Sequence, residues 1–425
     1  MDRKKAPDIN KIVSLDIPSP EEVYQVNGIP VRVVPNPKEE WTSVEMIFEA
    51  GTSEEVVPLS ATTCSGLITE GTGKFTADRI AELKDFYGAK IFASIGKDSA
   101  SLNLLCLNHH LEELLPVFVS IVTDPIFPEK EYHSHVKRAK AALLINLQRV
   151  EMKARIEFSK RYFGQTKYAD NFSPDDYEKL TRQDVISFFK NQYGTNRANL
   201  IVAGGRVEKA INLLQSTGIP RTQKLESKKF SDFSPRLGLH HVSEKTALQS
   251  AIRMGRSGIS REHPDFVALY VANTILGGYF GSRLMQNLRE DKGFTYGVGS
   301  FLQILRDHSL LVIATQVGSE HIEKAISEID KELTRLRSQL VSSDELELVV
   351  NYIAGTLAKK LDGTANRASV VKTMVLQGLK PEYYNAFLES LYRVEGEQIK
   401  AVAEKYLQSD DFTKVVVGGV IPTTN

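Results

Sequence analysis

The feature that most narrows what this chain can fold into is an echo inside it. Asp85–Leu105 reads DFYGAKIFASIGKDSASLNLL, and Gly293–Ile313 reads GFTYGVGSFLQILRDHSLLVI. Aligning Tyr87 with Tyr296, or Asp98 with Asp307, gives the same offset of 209 residues. Further on, QYGTNRANLIVAGG (Gln192–Gly205) pairs with KYLQSDDFTKVVVGG (Lys405–Gly419), with offsets of 213 at Tyr193/Tyr406 and 214 at Gly204/Gly418. One spacing held over distant segments is the trace of a duplicated domain, and it is much too long for a solenoid repeat. The chain therefore reads as two related domains, residues 1–215 and 246–425. Between them, Ser216–Lys245 is rich in Ser, Lys and Pro and shows neither helical nor strand periodicity, as a linker would.

Each half mixes strands with helices. Val44, Met46 and Phe48 alternate with Glu45, Ile47 and Glu49, the pattern of a half-buried strand. Asn27-Gly28 supplies a hairpin turn before it. Thr76 is placed to cap a helix carrying Ile80, Leu83 and Tyr87 and ending at Gly88. Thr181 with Asp184 forms a capping-box pattern. Pro128–Phe163 has few breakers and reads as one or two long helices. The mixed order points to an α+β fold of two homologous α/β sandwich domains, each a mixed sheet packed by helices.

Composition removes several function classes. Lys and Arg total 53 and so do Asp and Glu, so the net charge is zero and no basic excess marks a nucleic-acid partner. No run approaches the roughly 18 apolar residues of a membrane helix. The two cysteines, Cys64 and Cys106, cannot make a disulfide scaffold or a cysteine zinc cluster, and read as buried thiols of a reducing compartment. The basic start MDRKKAPDIN is not followed by an apolar stretch, so the expected location is cytoplasmic. It becomes periplasmic if Met1 stands in place of a removed leader.

The most specific run is ILGGYFGSRLMQNLREDKGFTYGVGS, Ile275–Ser300. Taken alone, it is a helix, a turn and a strand, with Arg289 a solvated helix residue. Its Leu276-Gly277-Gly278, Ser282-Arg283-Leu284, Arg289 and Gly293-Phe294-Thr295-Tyr296 resemble the pitrilysin/insulinase family of zinc metallopeptidases, which includes the mitochondrial processing peptidase. Phe48–Gly51 with Ser53 and Glu54, Glu70-Gly71-Thr72, and Leu200–Gly205 extend the resemblance over nearly the whole chain. It implies a clam-shell of two LuxS/metallohydrolase-like domains. It also implies that Arg289 and Tyr296 hold substrate backbone across a cleft, a task suited to two hydrogen-bond donors aimed at carbonyl oxygen.

One part of the family pattern is missing. Active members carry His-x-x-Glu-His shortly before a Gly-Thr, two imidazoles gripping Zn²⁺ from one helical face and a carboxylate acting as base. Counting back from Gly71-Thr72, that place is taken by Thr62-Thr63-Cys64-Ser65-Gly66. Neither Thr62 nor Gly66 is a good zinc ligand, and Ser65 is no general base. A second metal-binding Glu should follow about 75 residues later, yet no Asp or Glu lies between Tyr132 and Val150. Other histidines do not rebuild the site. His109 and His110 are chain neighbours that point apart, polar residues before the helix at Leu111. His133 and His135 are separated by about 200° on a helix and read as exposed polar residues. His240 and His241 read as solvated in the linker.

The resemblance thus implies a non-catalytic subunit that binds no zinc itself. Its partner would be a zinc-bearing paralogue, its substrate an unfolded peptide, and the isolated chain could pair with itself as a homodimer. Neither nucleic acid nor membrane is implied. Two rivals are a scaffold subunit without peptidase function, and an autonomous peptidase with atypical zinc ligands.

Overall fold

The computed structural model describes residues 11–19, 24–244 and 246–419; the basic start at Met1–Asn10 and the end of the inter-domain segment at Lys245 lie outside them. The first sheet comprises β1 (Tyr24–Val26), β2 (Ile29–Pro35), β3 (Trp41–Phe48), β4 (Lys90–Ile95), β5 (Ala100–Leu107) and β6 (Asn199–Gly204), in the order β1-β2-β6-β3-β5-β4. The second comprises β7 (Gly238–Ser243), β8 (Gln249–Ser257), β9 (Val298–Ile304), β10 (Ser309–Gly318) and β11 (Thr413–Gly418), in the order β7-β11-β8-β10-β9.

Without β1, the two orders are the same. β2 runs parallel to β6 as β7 runs parallel to β11, and the remaining pairs are antiparallel in both sheets. The register repeats as well. Ile95 faces Ala100 and Ile304 faces Ser309, each pair offset from its counterpart by the 209 residues seen in the sequence. β6 and β11 are offset by 214. The molecule is a two-domain α+β structure with two mixed sheets packed by helices.

Local chemistry fixes the elements as the sequence suggests. Val26-Asn27-Gly28-Ile29 turns between β1 and β2 with both central residues at positive φ. Helices α1 (Ser60–Leu67), α2 (Ala77–Phe86), α3 (Leu111–Thr123), α4 (Glu129–Asn146) and α5 (Val150–Phe163) follow. The Thr76 side chain caps α2, and Thr181 with Asp184 closes a capping box on helix Arg182–Gln192. The long segment after Pro128 divides into α4 and α5.

The halves are less separate than the sequence suggests. Helix α5 belongs to the first half in the chain but packs across β8 and β11 of the second sheet. Its Ala154, Phe158 and Tyr162 share a core with Ala251, Val312, Val415 and Val417. In return, helix Thr364–Gln377, of the same length and 214 residues later, packs on β2 and β6 of the first sheet. Its Val371 and Met374 lie in one core with Val34, Ile47, Ile201 and Ala203. This exchange corrects the reading of β3 as half-buried. Val44, Met46 and Phe48 face the first-half core, while Ile47 is just as buried under the second half's helix. Glu45 sits on that face paired with Lys372.

The segment Ser216–Lys245 also differs from expectation. It contains β7, an edge strand with no fully buried residue, which leaves no alternation to read. Lys224, in the same segment, is buried against Glu54 at 3.4 Å, and its backbone N–H donates to Asn196. His240 and His241 lie on β7, and His241 bonds the Gly419 carbonyl at 2.7 Å instead of standing free in solvent.

Candidate functional site

Helix α1 carries the position of the missing motif. Leu59 enters it in a left-handed conformation, and Glu55 supplies the cap, its carboxylate accepting from the Ala61 N–H at 3.1 Å. Thr62 and Gly66, four residues apart, both lie on the exposed face of α1, where two zinc-binding imidazoles would stand. Ser65 is buried, and Thr62 Oγ1 is spent on the Leu59 carbonyl at 3.3 Å. Cys64 is fully buried, and burial pushes its thiol far up, so it is not an activated nucleophile.

The space beside Gly66 is filled. A Cβ placed there would lie 2.3 Å from Cε1 of His135 on α4 and 2.9 Å from its Nε2. This corrects the expectation that His133 and His135 are both exposed. His133 is exposed and pairs with Glu129 at 3.0 Å, whereas His135 is half-buried against α1. Burial, then the charge of Arg138, lower the His135 pKa and keep the ring neutral. Burial, then Glu131, raise the Glu70 carboxyl. Among the described residues, no three His, Cys, Asp or Glu converge as a metal cage. The residues present do not fit a zinc ion.

His109 and His110 form a short 3₁₀ turn leading into α3, where a polar helix start was expected, but they do not point apart: their ring centroids lie 3.9 Å from each other. Lys97 lies on the turn between β4 and β5. It binds the Tyr168 carbonyl at 2.9 Å and Asp170 at 2.6 Å.

In the second half, Ile275–Ser300 folds to display two side chains. Thr274–Gly278 and Met285–Asp291 are π-helical turns, which often accompany functional sites. Gly277 is needed because β9 passes so close that a Cβ would sit 2.7 Å from the Ser300 nitrogen. Arg283 is buried and forks onto Glu345 through two bonds of 2.8 and 2.7 Å, so it holds the segment and is not free for a ligand. Arg289 lies on the outer side of its turn, with its guanidinium 4.8 Å from the Phe280 ring centroid and 3.5 Å from Glu290. Phe280 itself is exposed.

The next two residues turn inward. Phe294 stacks on His321, and buried Thr295 is bonded by Thr315 at 3.0 Å and donates to the Gly297 carbonyl at 2.9 Å. Tyr296, directly after these anchors, is 90% exposed, and no hydrogen bond holds its hydroxyl among the described residues. It stands two residues before β9, the outer strand of its sheet, which among the described residues pairs with β10 alone.

Sequence reasoning missed Arg253. This residue of β8 borders the same cavity of about 290 Å³ as Tyr296, Gly297 and Glu151 of α5. Its guanidinium lies 5.4 Å from the Phe158 ring and 5.9 Å from Phe301, and its Nε is buried without an acceptor. No motif flags it, because the exchange of α5 into the second half is what brings Glu151 and Phe158 to it. His135 was missed for a related reason: its burial depends on α4 crossing α1.

Comparison with known proteins places these features. Residues 179–353 match the family model described as the peptidase M16 inactive domain. An uncharacterized zinc protease YmxG of Bacillus subtilis is 23% identical over 403 residues, covering 90% of this chain and 95% of the relative. A protein named non-peptidase homolog YmxG, from Helicobacter pylori, is 18% identical, covering 83% of this chain and 82% of the relative. Among solved structures, a peptidase M16 inactive domain from Pseudomonas fluorescens superposes with a TM-score of 0.85 at 22% identity, covering 97% of this chain and all of the other. A protease from Helicobacter pylori gives 0.82 at 17% identity, covering 94% and 99%.

Proposed function

We propose that this chain is a non-catalytic member of the peptidase M16, or pitrilysin/insulinase, family and serves as the substrate-holding subunit of a two-chain peptidase. A zinc-bearing paralogue supplies the metal-bound water and the general base. This chain supplies Arg289 and Tyr296, and the substrate is an unfolded peptide.

The observation that carries this reading is the presentation of Tyr296. A phenol that served only the fold would be packed or bonded, as Tyr168 and Tyr162 are. Tyr296 is instead held out between buried Thr295 and, two residues on, buried Val298, with Arg289 on the turn before it and an outer strand after it. An extended peptide can add to such an edge through its backbone, and two donors near the strand's start can then meet its carbonyl oxygens. A planar guanidinium and a neutral phenol both strengthen their bonds as negative charge grows on that oxygen.

The test is turnover of an unfolded peptide by the chain reconstituted with its zinc-bearing paralogue. Tyr296→Phe should lower kcat/KM about a hundredfold, the scale of losing one oxyanion donor, and should leave assembly intact. An unchanged kcat/KM for both Tyr296→Phe and Arg289→Ala would make the chain a scaffold. Zinc analysis of the isolated chain checks the other premise, since one tightly held equivalent would make it an autonomous metallopeptidase.

A further inference from the structure

Away from the Tyr296 segment, a cavity of about 430 Å³ opens among the helices of the second half. That volume is in the range of small-molecule sites. Its charged lining consists of Arg261, Lys359 and Lys360, with no Asp or Glu. Among the described residues, none of the three forms an ion pair. The Arg261 Nε is buried without an acceptor, and its one side-chain hydrogen bond is a long 3.4 Å contact from Nη1 to the Tyr383 hydroxyl. Its guanidinium is braced by two rings, 5.7 Å from Phe266 and 5.9 Å from Tyr383. Desolvation, then the charge of Arg261, hold the Lys360 ammonium below its usual pKa, as expected of like charges facing one space.

The rest of the lining is of two kinds. Tyr270 and Phe387 meet edge to face at 5.5 Å, and with Tyr383 they form an aromatic wall. Thr356, Ser369 and Thr373 donate their hydroxyl protons to carbonyls of their own helices, which leaves the cations, the tyrosine hydroxyls and Asn366 as the donors still to be used. An arginine Nε buried without an acceptor is costly, since a buried polar group without a partner loses its solvation uncompensated.

We propose that this cavity is a binding site for a small organic anion. A phosphate or carboxylate group is held by Arg261 and Lys360, and an aromatic or apolar body rests against Tyr270, Tyr383 and Phe387. The site stands apart from the peptide-holding reading and does not depend on it. Arg261 suits the anion because its fork can donate two parallel bonds to two oxygens, and Lys360 adds a mobile point charge at the rim.

Calorimetric titration of the whole chain with phenyl phosphate, benzoate and phenol tests this. Phenyl phosphate or benzoate should bind saturably and phenol should not; which anion binds more tightly identifies the head group. Arg261→Gln should weaken binding about tenfold or more, the scale of a charge-assisted hydrogen bond, and Lys360→Gln should weaken it several-fold. Added salt should weaken it further. Circular dichroism and thermal melting report whether Arg261→Gln still folds. If it does not, the exposed Lys359→Gln and Lys360→Gln variants carry the test. The proposal is overturned if neither anion binds saturably at millimolar concentration, if phenol binds as well as the anions, or if the lysine variants bind with unchanged affinity.

Discussion

Asp98 and Asp307, equivalent residues of the two halves, meet on one phenol. The Tyr168 hydroxyl lies 2.7 Å from Asp98 Oδ1 and 3.3 Å from Asp307 Oδ2, and it accepts from the Asp307 N–H at 3.2 Å. Asp98 also accepts from the Arg306 N–H at 2.9 Å, so the β4–β5 hairpin of one sheet is tied to the β9–β10 hairpin of the other. Lys167 closes the cluster on Asp307 at 2.6 Å. Burial, then the bond to Asp98, keep the phenol protonated throughout the accessible pH range.

Removing that hydroxyl should loosen the join between the halves. Tyr168→Phe keeps the ring but strips one charge-assisted bond, worth about 1.5–3 kcal/mol. Urea unfolding should show that loss, together with a broader or biphasic transition as the halves uncouple. A change below about 0.5 kcal/mol would mean that the packing alone joins the sheets.

The Gly66–His135 contact predicts a coupled pair. Replacing an exposed helical glycine by alanine normally gains about 1 kcal/mol. In this chain the new Cβ would strike the His135 ring, so Gly66→Ala should gain nothing or destabilise. In a His135→Ala background the gain of about 1 kcal/mol should return, a coupling that a double-mutant cycle reads directly.

Glu55 should make stability depend on pH. Burial raises its carboxyl from 4.5 to about 7, opposed by hydrogen bonds from the backbone at Ala61 and Leu59 and by Lys97 and Lys228. A raised acid binds its proton more tightly in the folded chain, so its contribution is complete below about pH 4.5 and is lost as pH rises through 7. Relative to Glu55→Gln, the native chain should lose about 2 kcal/mol between pH 5 and pH 8. A difference that stays flat over that window would mean that Glu55 is already ionised at its lower end.

Arg283 and Arg289 lie six residues apart and should respond oppositely. Arg283→Lys loses the fork on Glu345 in a buried setting and should cost about 1–2 kcal/mol. Arg289→Lys, at an exposed turn, should stay within about 0.5 kcal/mol, with its effect confined to peptide turnover. Thermal melting of the two variants separates the structural arginine from the proposed substrate contact.

Much of this was legible in the sequence, for reasons of range. The duplication could be read because two sheets with the same strand order must repeat their hydrophobic and turn residues at one spacing, as Asp98/Asp307 and Gly204/Gly418 do. The caps at Thr76 and Thr181 and the Asn27-Gly28 turn could be read because their bonds close within a few residues. The loss of His-x-x-Glu-His was evident at Thr62, Ser65 and Gly66, since a zinc site needs particular side-chain chemistry whatever the surrounding fold.

What the tertiary structure alone decided depends on contacts between distant segments. The trade of α5 for helix Thr364–Gln377 buries Ile47 and brings Phe158 against Arg253, although each helix in isolation has the pattern of an ordinary surface helix. His135 reads as a polar residue on α4 until α1 crosses it at Gly66. β7 has no alternation because an edge strand with no fully buried residue imposes none. The buried Arg261 Nε without an acceptor emerges only when four helices converge around it. Local geometry leaves its mark on neighbouring residues, but burial and pairing across the molecule follow from which surfaces meet. Those meetings are chosen by the summed packing of both halves, which no short segment of the chain encodes.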